Sequence, residues 1–451
     1  MSYFMLTSNI RSILLFSTTL GILATACNPG GQADPNSGVV GTDPYVEPVN
    51  ELIYNDHVYK KSIHTPMCYK TGFPLNPPVI ALLSDESVTI SFDDFDANVK
   101  DLYYSIIHCD ADWNPSGMME QEFLDGFFTY NVTNYKYSFN TYQNYLHYSL
   151  QIPNEKTKIR KSGNYLVKIF ANNDQNQLVL TRRFMVYENG VNIQHQYKRP
   201  QDPEYRSSKQ EIDLTINFGA LNVPNPFSDL KVVIQQNNRW DNVVKNIKPM
   251  FVKDKELVFD LDEPNIFNGG NEFRFFDLKS LGYNSPNVAR VIKDTIPYHI
   301  LLLNDERRPY KKYMTSFDIN GKFLVGNVLS NEPETESDYV WVHFYLPYDQ
   351  PLDSGNIYLF GALSDWQTKD EFQMKYNYRS NRYEQTVFLK QAYYNYEYVF
   401  LSDKSKTVDE TLVEGNHFET ENNYTILVYF RDMRQNCDRL VGVQFINSNK
   451  G

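Results

Sequence analysis

Alternating apolar and polar positions recur along most of the chain. Between residues 49 and 190 the strand-like runs are SVTISF, LYYSIIH, YLHYSLQI, NYLVKIFA and LVLTRRFMVY. Because side chains in a strand alternate between two faces, Tyr165, Val167 and Ile169 are predicted to point to one side of their strand. Short strands at this spacing, separated by turn residues, predict a β-sandwich over 49–190.

The same pattern continues towards the C-terminus. Residues 191–306 include the runs QEIDLTINF, DLKVVIQQ and NEFRFFDL, and residues 307–451 include YVWVHFYL, NIYLFGAL and YTILVYFRD. The polar run RRPYKK at the start of the last segment is predicted to mark a junction. No long stretch has the spacing of an amphipathic helix, so helices should be few and short. The predicted fold class is all-β, with tandem immunoglobulin-like or early-set β-sandwiches over 49–190, 191–306 and 307–451.

The first residues have the features of an export signal. Residues 1–27 contain Arg11, then the apolar run SILLFSTTLGILATA, and end at Cys27. The ending LATAC resembles a bacterial lipobox, although Leu23 lies one place further from the cysteine than usual. Lipidation at Cys27 is therefore expected, and a plain signal peptide with an incidental cysteine is the alternative. Residues 28–48, rich in Gly, Pro and Asn, are predicted to be a flexible tether.

Composition and charge narrow the classes of partner. The 451 residues carry a formal net charge of −12 with a pI near 5.2, which argues against binding to a nucleic-acid backbone. Three cysteines follow the signal, and both a Cys68 to Cys109 disulfide and buried free thiols are open alternatives. The histidines and cysteines form no metal-binding motif, so neither a metal nor another cofactor is expected.

The tract HCDADW contains the residue types of a nucleophilic site. His108, Cys109, Asp110 and Asp112 could supply a nucleophile, a base and an orienting carboxylate. However, adjacent residues of a strand face opposite sides, so His108 and Cys109 should not reach each other. We expect Cys109 to pack as a small apolar residue and the aspartates to cap a turn. No sequence motif of a known hydrolase, nucleotide-binding loop or calcium loop is present, so the chain is not expected to be an enzyme.

A family resemblance rests on several fragments in order. HCDADW is followed by FLDGF, SFNTYQNYLHYSLQIPNE, SGNYLVKIFANND and TRRFMVYE over about residues 80–190. In this order they resemble the N-terminal domain of the type IX secretion system plug proteins of Bacteroidota. The resemblance implies a periplasmic protein, associated with the outer membrane, that binds the inner opening of the translocon β-barrel and closes it. It implies no catalytic residues, and the protein is expected to act as a monomer within that complex.

The long insertion between strands at 114–142 is the predicted contact surface for this partner. Long aromatic connections are often functional, although the same rings could instead pack against the insertion's own core. The residues predicted to contact the partner are Phe123, Phe127, Phe128, Tyr130 and Tyr135.

The last unit supports a rival function. The layout around Asp365 and Trp366, with a later Tyr-rich strand, is similar to early-set sandwich modules of the glycogen-binding kind. Aromatic faces stack on sugar rings, so the rival is a glycan-binding lipoprotein of a polysaccharide-uptake system. Its ligand residues would be Trp366, Tyr394, Tyr396 and Tyr398, unless these side chains fill the sandwich core.

Overall fold

The computed structural model describes residues 51–260 and 264–449, in which strands predominate and form three β-sandwiches. The predicted all-β fold class, built of β-sandwiches, is therefore confirmed. The predicted signal, the tether and the lipidation site Cys27 lie outside the described residues.

The first sandwich is built by the strands that follow the tether. They are β1 (His57–Val58), β2 (Ile63–Lys70), β3 (Val79–Ala81), β4 (Val88–Asp94), β5 (Leu102–Cys109), β6 (Leu124–Gly126), β7 (Thr129–Asn131), β8 (Tyr135–Tyr137), β9 (Leu146–Ile152), β10 (Thr157–Ile159), β11 (Gly163–Ala171) and β12 (Leu178–Tyr187). One sheet has the order β1-β12-β11-β5-β7, with β3 added beside β12, and the facing sheet has the order β2-β4-β9-β8. Strands β6 and β10 pair separately.

The core of the first sandwich follows from the alternation in the sequence. Tyr165, Val167 and Ile169 of β11 point together into the core between the two sheets, as predicted. Leu166, on the opposite face, belongs to a second apolar cluster that includes Leu427 and Tyr429 from much later in the chain. Both faces of β11 are therefore buried, because the second sandwich covers the outer one.

The remaining strands, in chain order, form the second and third sandwiches. They are β13 (Asn192–Lys198), β14 (Lys209–Asn217), β15 (Leu230–Gln236), β16 (Val244–Lys245), β17 (Phe251–Lys253), β18 (Glu256–Phe259), β19 (Ile266–Asn268), β20 (Arg274–Asp277), β21 (Val288–Ile292), β22 (His299–Leu302), β23 (Phe323–Val325), β24 (Tyr339–Pro347), β25 (Gly355–Phe360), β26 (Lys375–Asn377), β27 (Arg382–Lys390), β28 (Ala392–Ser402), β29 (Val408–Asp409), β30 (Asn423–Asp432) and β31 (Cys437–Asn447).

Strand pairing divides these strands differently from the predicted junction near residues 306 and 307. The second sandwich packs the sheet β13-β14-β18-β17, with β19 beside β14, against the sheet β16-β15-β30-β31. The third packs the sheet built around β28, with β20, β23, β25 and β29, against β21-β22-β24-β27-β26. The third sandwich is thus inserted between β19 and β30 of the second, and the sheets do not change at residue 307.

Helices are short in the described part of the chain, in agreement with the sequence pattern. The α-helices are α1 (Glu120–Phe123), α2 (Pro226–Asp229), α3 (Pro333–Glu336) and α4 (Thr411–Glu414). Two 3-10 turns occur at Ala362–Ser364 and Asp370–Phe372. Within residues 51–260 and 264–449, no helix combines the length and the apolar character that a membrane crossing requires.

The three sandwiches meet through buried contacts. Trp113 of the first packs edge-to-face on Trp240 of the second, with ring centroids 5.1 Å apart. The Arg183 guanidinium lies over both indoles, 5.0 Å and 5.3 Å from the ring centroids. Between the first and third sandwiches, the Lys390 Nζ donates to the Asp93 Oδ2 at 2.5 Å, and both side chains are buried. These contacts fix the orientation of the sandwiches relative to one another.

Candidate partner-binding surface

The 114–142 insertion crosses one edge of the first sandwich. Its strand β7 pairs with β5 at the edge of one sheet, and β8 pairs with β9 at the edge of the facing sheet. Each of these edge strands carries backbone groups on one side that its own sheet leaves unpaired. The insertion thus brings two sheet edges and the connection between them onto one surface.

Aromatic side chains project from this surface into solvent. Phe127 is 57% exposed, Tyr137 is 58% exposed and Phe139 is 69% exposed. Soluble proteins usually protect sheet edges with charges, proline or a covering loop, so a row of exposed rings here points to a partner. We call this surface the aromatic edge, defined as Phe127, Phe128, Tyr135, Tyr137, Phe139 and Tyr142.

The predicted contact residues divide between the surface and the interior. Phe127, Phe128 and Tyr135 belong to the aromatic edge, whereas Tyr130 is half-buried against the core of the first sandwich. Phe123 is 2% exposed because it ends α1 with its ring against the same core, beside Tyr165. The prediction that Phe123 contacts a partner is therefore wrong for this conformation.

Sequence reasoning missed three residues of the aromatic edge. Tyr137, Phe139 and Tyr142 lie within the predicted insertion 114–142 but after Tyr135, the last residue predicted to contact the partner. The signal that identifies the first two is their alternation with polar residues in YKYSF, on a strand too short to bury both faces. Tyr142 lies in the loop that follows, where no periodicity applies.

Contacts with the third sandwich hold the aromatic edge in place. The Phe139 backbone N–H donates to the Thr335 carbonyl at 3.0 Å, and the Tyr142 N–H donates to the Asp338 Oδ1 at 2.6 Å. The Tyr142 hydroxyl lies 2.7 Å from the Tyr298 hydroxyl. A loop held at both ends loses less conformational entropy on binding than a free one, so this surface is preorganised.

The HCDADW tract forms an inter-sandwich contact. His108 and Cys109 lie on opposite faces of β5: His108 stacks edge-to-face on Tyr165, while Cys109 packs in the cluster shared with the second sandwich. Burial, with a smaller effect from Asp110, raises the pKa of the Cys109 thiol to about 12. The Asp110 Oδ1 accepts the backbone N–H of Asp112 at 2.9 Å, which caps the turn. A buried thiol with its pKa raised in this way is protonated near neutral pH and is therefore a weak nucleophile.

Each of the cysteines in the described residues is a free thiol. Cys109 and Cys437 are buried and Cys68 is partly buried. Of the two alternatives left open by the sequence, the structure has the buried thiols and lacks the Cys68 to Cys109 disulfide.

The residues of the glycan hypothesis lie inside the third sandwich. Tyr394, Tyr396 and Tyr398 are buried in its core, and the hydroxyls of Tyr396 and Tyr398 both donate to the Asp305 Oδ2, at 2.6 Å and 2.7 Å. Their rings cannot stack on a sugar, so their assignment as glycan ligands is wrong for this structure. They fill the core because β28 is buried on both faces.

Trp366 is half-buried beside the same sandwich. Its indole packs edge-to-face on Phe273 and Phe360, and the Arg239 guanidinium of the second sandwich lies 4.8 Å from the ring centroid. The backbone at Gly321, with φ +73°, passes so close that a Cβ there would lie 2.3 Å from the indole. Protein groups thus occupy the surroundings of the ring that a sugar would need.

An acidic cluster in the second sandwich has the spacing of metal ligands. Among the described residues, carboxyl oxygens of Glu211, Asp213 and Asp260 lie within 4.8 Å of one another. The Lys198 ammonium lies among them, 3.0 Å from Asp260 Oδ1 and 3.3 Å from Glu211 Oε1, and also pairs with Asp213. A lysine therefore already occupies the centre of this cluster and offsets part of its charge, so we do not treat the cluster as a metal-site candidate.

Replacing Glu211 with glutamine is expected to stabilise the protein at alkaline pH. Burial and the neighbouring Asp213 raise the pKa of Glu211 from 4.5 to about 7. A carboxyl whose pKa is raised by folding stabilises the folded state at pH values below its pKa in the unfolded chain. That contribution is lost as the pH rises through the pKa in the folded chain, about 7. Urea titrations of Glu211→Gln should show a gain on the order of 1 kcal/mol at pH 8 that is absent at pH 4. Glu204→Gln, at an exposed position, is the control, and equal effects at both pH values would contradict the assignment.

Comparisons with known proteins bear on the first sandwich directly. A family model described as the type 9 secretion system plug protein 1st domain matches residues 63–188, from the start of β2 to just past β12. The crystal structure of a hypothetical protein from Parabacteroides merdae is 32% identical, with a TM-score of 0.84, over 88% of this chain and 100% of that chain. The first sandwich is thus a first domain of the type IX secretion system plug protein family.

Other comparisons add nothing to this assignment. The match to the crystal structure of Salmonella alpha-2-macroglobulin reacted with methylamine covers 85% of this chain and 24% of that chain, at 10% identity. Its TM-score is 0.13, so the match carries no argument. The search of curated proteins found no match. The matched segment contains the whole aromatic edge, so the candidate surface belongs to the plug-type first domain.

Proposed function

We propose that this protein is a non-enzymatic plug that binds the periplasmic opening of the type IX secretion translocon in the outer membrane and occludes it. The observation that carries the proposal is the aromatic edge, which lies on two unpaired sheet edges within the plug-type first domain. The partner contact would bury these rings and pair or cover the free backbone groups beside them.

Closing a pore mouth requires a body that keeps its shape. The Trp113, Arg183 and Trp240 stack and the Asp93 to Lys390 pair hold the three sandwiches in a fixed arrangement. A rigid body can present one large complementary surface without a large entropic penalty, yet polar rim contacts leave it able to dissociate. This combination suits a stopper that must leave when cargo passes.

The proposed location follows from the family and from the expected lipid anchor. We place the protein in the periplasm at the outer membrane, attached through diacylglycerol on Cys27. The residues from Cys27 to the first described strand would act as the tether. A single anchor with a flexible connection raises the local concentration of the plug near the pore, so a moderate affinity suffices for occupancy.

The rival glycan-binding function receives no support from the geometry. Its three tyrosines are core residues, and Trp366 packs against Phe360 and Arg239. Retention on an insoluble α-glucan is therefore not expected.

Polar substitutions on the aromatic edge are expected to abolish binding to the translocon. The triple variant Phe127→Ser, Tyr137→Ser, Phe139→Ser removes three exposed rings, each a candidate for about 1–2 kcal/mol of interface energy, so affinity should fall by at least about a hundredfold. Affinity purification from solubilised outer membranes measures recovery of a very large β-barrel protein. Cells carrying the variant should also admit a large hydrophilic antibiotic that the native plug excludes.

The matched control is Tyr378→Ser, because that tyrosine is 77% exposed on the third sandwich, away from the aromatic edge. It should recover the barrel protein as the native chain does. Recovery of the barrel by the triple variant at the native level would place the contact elsewhere. If even the native chain recovers no barrel protein and its deletion leaves the membrane equally tight, the plug function itself is wrong.

A further inference from the structure

A cavity of about 790 Å³ lies where the three sandwiches meet, on a different part of the molecule from the aromatic edge. Leu75 and Pro77 of the first sandwich, Ile446 of the second, and the segment 315–320 of the third contribute to its wall. This volume is large enough for a long side chain and part of the backbone that carries it.

Acidic groups outnumber basic groups in the inner wall. Glu272, Asp318 and Glu421 line the cavity together with two lysines. Lys322 donates to the Leu75 carbonyl at 2.7 Å, and Lys70 is paired with Glu86 at 2.5 Å. Burial raises the pKa of Asp318 to about 7. Backbone hydrogen bonds from Asn320 and Phe273 oppose this shift, and the charges of Glu272 and Glu421 add to it. Burial also raises the pKa of Glu272. Even if Glu272 and Asp318 share one proton, the three acids, the two lysines and Glu86 together carry a net charge of −1.

Two acceptor atoms in this wall lack a donor when the carboxyls are ionised. Glu272 is 2% exposed and its Oε2 has no partner except a proton shared with Asp318, and Asn320 is 4% exposed and its Oδ1 has no partner. Buried acceptors without donors are unfavourable by about 1–3 kcal/mol each. Their presence beside an excess of carboxyls indicates a site built for a ligand that supplies hydrogen-bond donors and positive charge.

A metal ion does not fit this set. Within the described residues, the group whose ligand atoms converge closely enough for one ion is Glu211, Asp213 and Asp260, in a different part of the second sandwich. The acceptors of the cavity are more widely spread, which suits a guanidinium, with five donors in a planar fork, better than a point charge.

The mouth of the cavity indicates how such a cation is presented. Phe445 and Ile446 belong to β31, the edge strand of its sheet, and Phe445 is 50% exposed. They follow Leu440 and Val441, whose carbonyls already accept backbone N–H groups from residues 188–191, so the part of the edge open to a peptide is the end with Phe445. Phe317, on the opposite side, is 84% exposed. An edge strand can pair with an added extended segment, while pockets beside it receive alternate side chains of that segment.

We propose that this cavity binds an arginine side chain of an extended peptide segment that lies along β31. Glu421 and the Glu272 and Asp318 pair would accept hydrogen bonds from the guanidinium. Phe317 and Phe445 would flank the neighbouring residues of the peptide. The proposal does not depend on the plug function, because it concerns a different surface and is tested on the isolated protein.

The test compares two blocked, fluorescein-labelled pentapeptides in which valine and threonine flank the central residue. The central residue is arginine in one peptide and its neutral isostere citrulline in the other, and the peptides are otherwise identical. Fluorescence anisotropy with the full-length native chain should show saturable binding of the arginine peptide and at least a tenfold weaker affinity for the citrulline peptide. Equal affinities, or no binding of the arginine peptide at 1 mM, would overturn the proposal.

Substitutions locate the binding within the molecule. Glu421→Gln keeps the shape of the side chain but only one of the two oxygens that accept from the Asn320 and Asn447 amides, and it should weaken arginine-peptide binding about tenfold. Phe317→Ser, at an exposed loop position, should weaken it without affecting folding. Glu371→Gln, an exposed acid of the third sandwich, is the control and should bind as the native chain does. Unchanged binding by both Glu421→Gln and Phe317→Ser would overturn the assignment to this cavity.

Discussion

Replacing Lys390 with methionine is expected to lower the free energy of unfolding by about 3–5 kcal/mol. The Lys390 side chain is 1% exposed, and its ammonium bonds the Asp93 Oδ2 at 2.5 Å and the Glu334 carbonyl at 2.6 Å. Methionine fills a similar volume but leaves the buried Asp93 carboxylate without its cation. His147 and Tyr339 also contact Asp93 but do not replace a full positive charge.

Urea denaturation at pH 7, followed by circular dichroism, measures this effect. Lys375→Met, at an exposed position of β26, is the control and should change the free energy of unfolding by less than about 0.5 kcal/mol. Adding Asp93→Asn to Lys390→Met should restore part of the loss, because the double variant no longer buries an unpaired charge. A Lys390→Met protein as stable as the native chain would show that the pair contributes nothing.

The Asp93 and Lys390 pair also determines whether the free energy of unfolding rises or falls at acidic pH. Burial alone would raise the pKa of Asp93, but Lys390 and His147 more than offset it and hold the pKa below its ordinary value of 3.8. A carboxyl whose pKa is lowered by folding stabilises the folded state at pH values above its pKa in the unfolded chain. That contribution is lost as the pH falls through its pKa in the folded chain. The contribution of the pair should therefore disappear in the acid range below about pH 4, so the native chain and the double variant should converge there.

The alternation of apolar and polar residues was sufficient to predict the fold class and much of the core. The β11 residues Tyr165, Val167 and Ile169 lie together in one core, as the period of two requires. The same logic applies to Tyr394 and Tyr396 of β28, whose spacing indicates a shared face but not whether that face meets solvent. The glycan hypothesis required these rings to face solvent, and the structure shows that they are buried.

Strand pairing could not be predicted in the same way. β15 pairs with β30, across the whole of the inserted third sandwich. A two-residue period shows which face of a strand is apolar and contains no information about its neighbour. Because the entropic cost of closing a loop grows only slowly with its length, a complete sandwich can be inserted between two paired strands at little cost. The sequence pattern therefore predicted three sandwiches one after another along the chain. In the structure, the chain instead returns to the second sandwich after it has completed the third.

The candidate surface was predictable in part for a related reason. The unusual length of the insertion at 114–142 indicated a functional connection, and Phe127 and Phe128 do lie on its surface. Phe123 and Phe127 are of the same residue type, four positions apart, yet one is buried against Tyr165 and the other is exposed. Only the path of the chain from α1 through β6 to β7 separates them, and composition does not specify that path.

Replacing Arg239 with methionine is expected to destabilise the protein by about 3–5 kcal/mol, through the contact between the second and third sandwiches. Arg239 is 2% exposed, and its Nη2 bonds the Glu410 Oε1 at 2.5 Å while its Nε donates to the Asp241 Oδ1 at 3.1 Å. The Nη1 lies 3.6 Å from the Glu397 Oε1. Removal of the guanidinium leaves several carboxylates close together, at least one of them fully desolvated.

Arg239→Lys separates charge from shape in this contact. Lysine retains the positive charge but lacks the planar fork that reaches Glu410 and Asp241 together, and it stacks less well than the guanidinium that now lies over Phe360 and Trp366. The lysine variant should therefore lose about 1–3 kcal/mol, an intermediate value. Arg379→Met, at an exposed position, is the control.

Chemical denaturation of the three variants, followed by tryptophan fluorescence, distinguishes the explanations. If Arg239 acts as the common partner of these acids, the losses should rank methionine, then lysine, then the control. They should also shrink as the pH is lowered, because the remaining carboxyls can then take up protons. Burial and the charge of Glu410 already raise the pKa of Glu397 well above its ordinary value, so it should be the first of them to become neutral. A methionine variant as stable as the Arg379→Met control at pH 7 would mean that Arg239 does not hold the two sandwiches together.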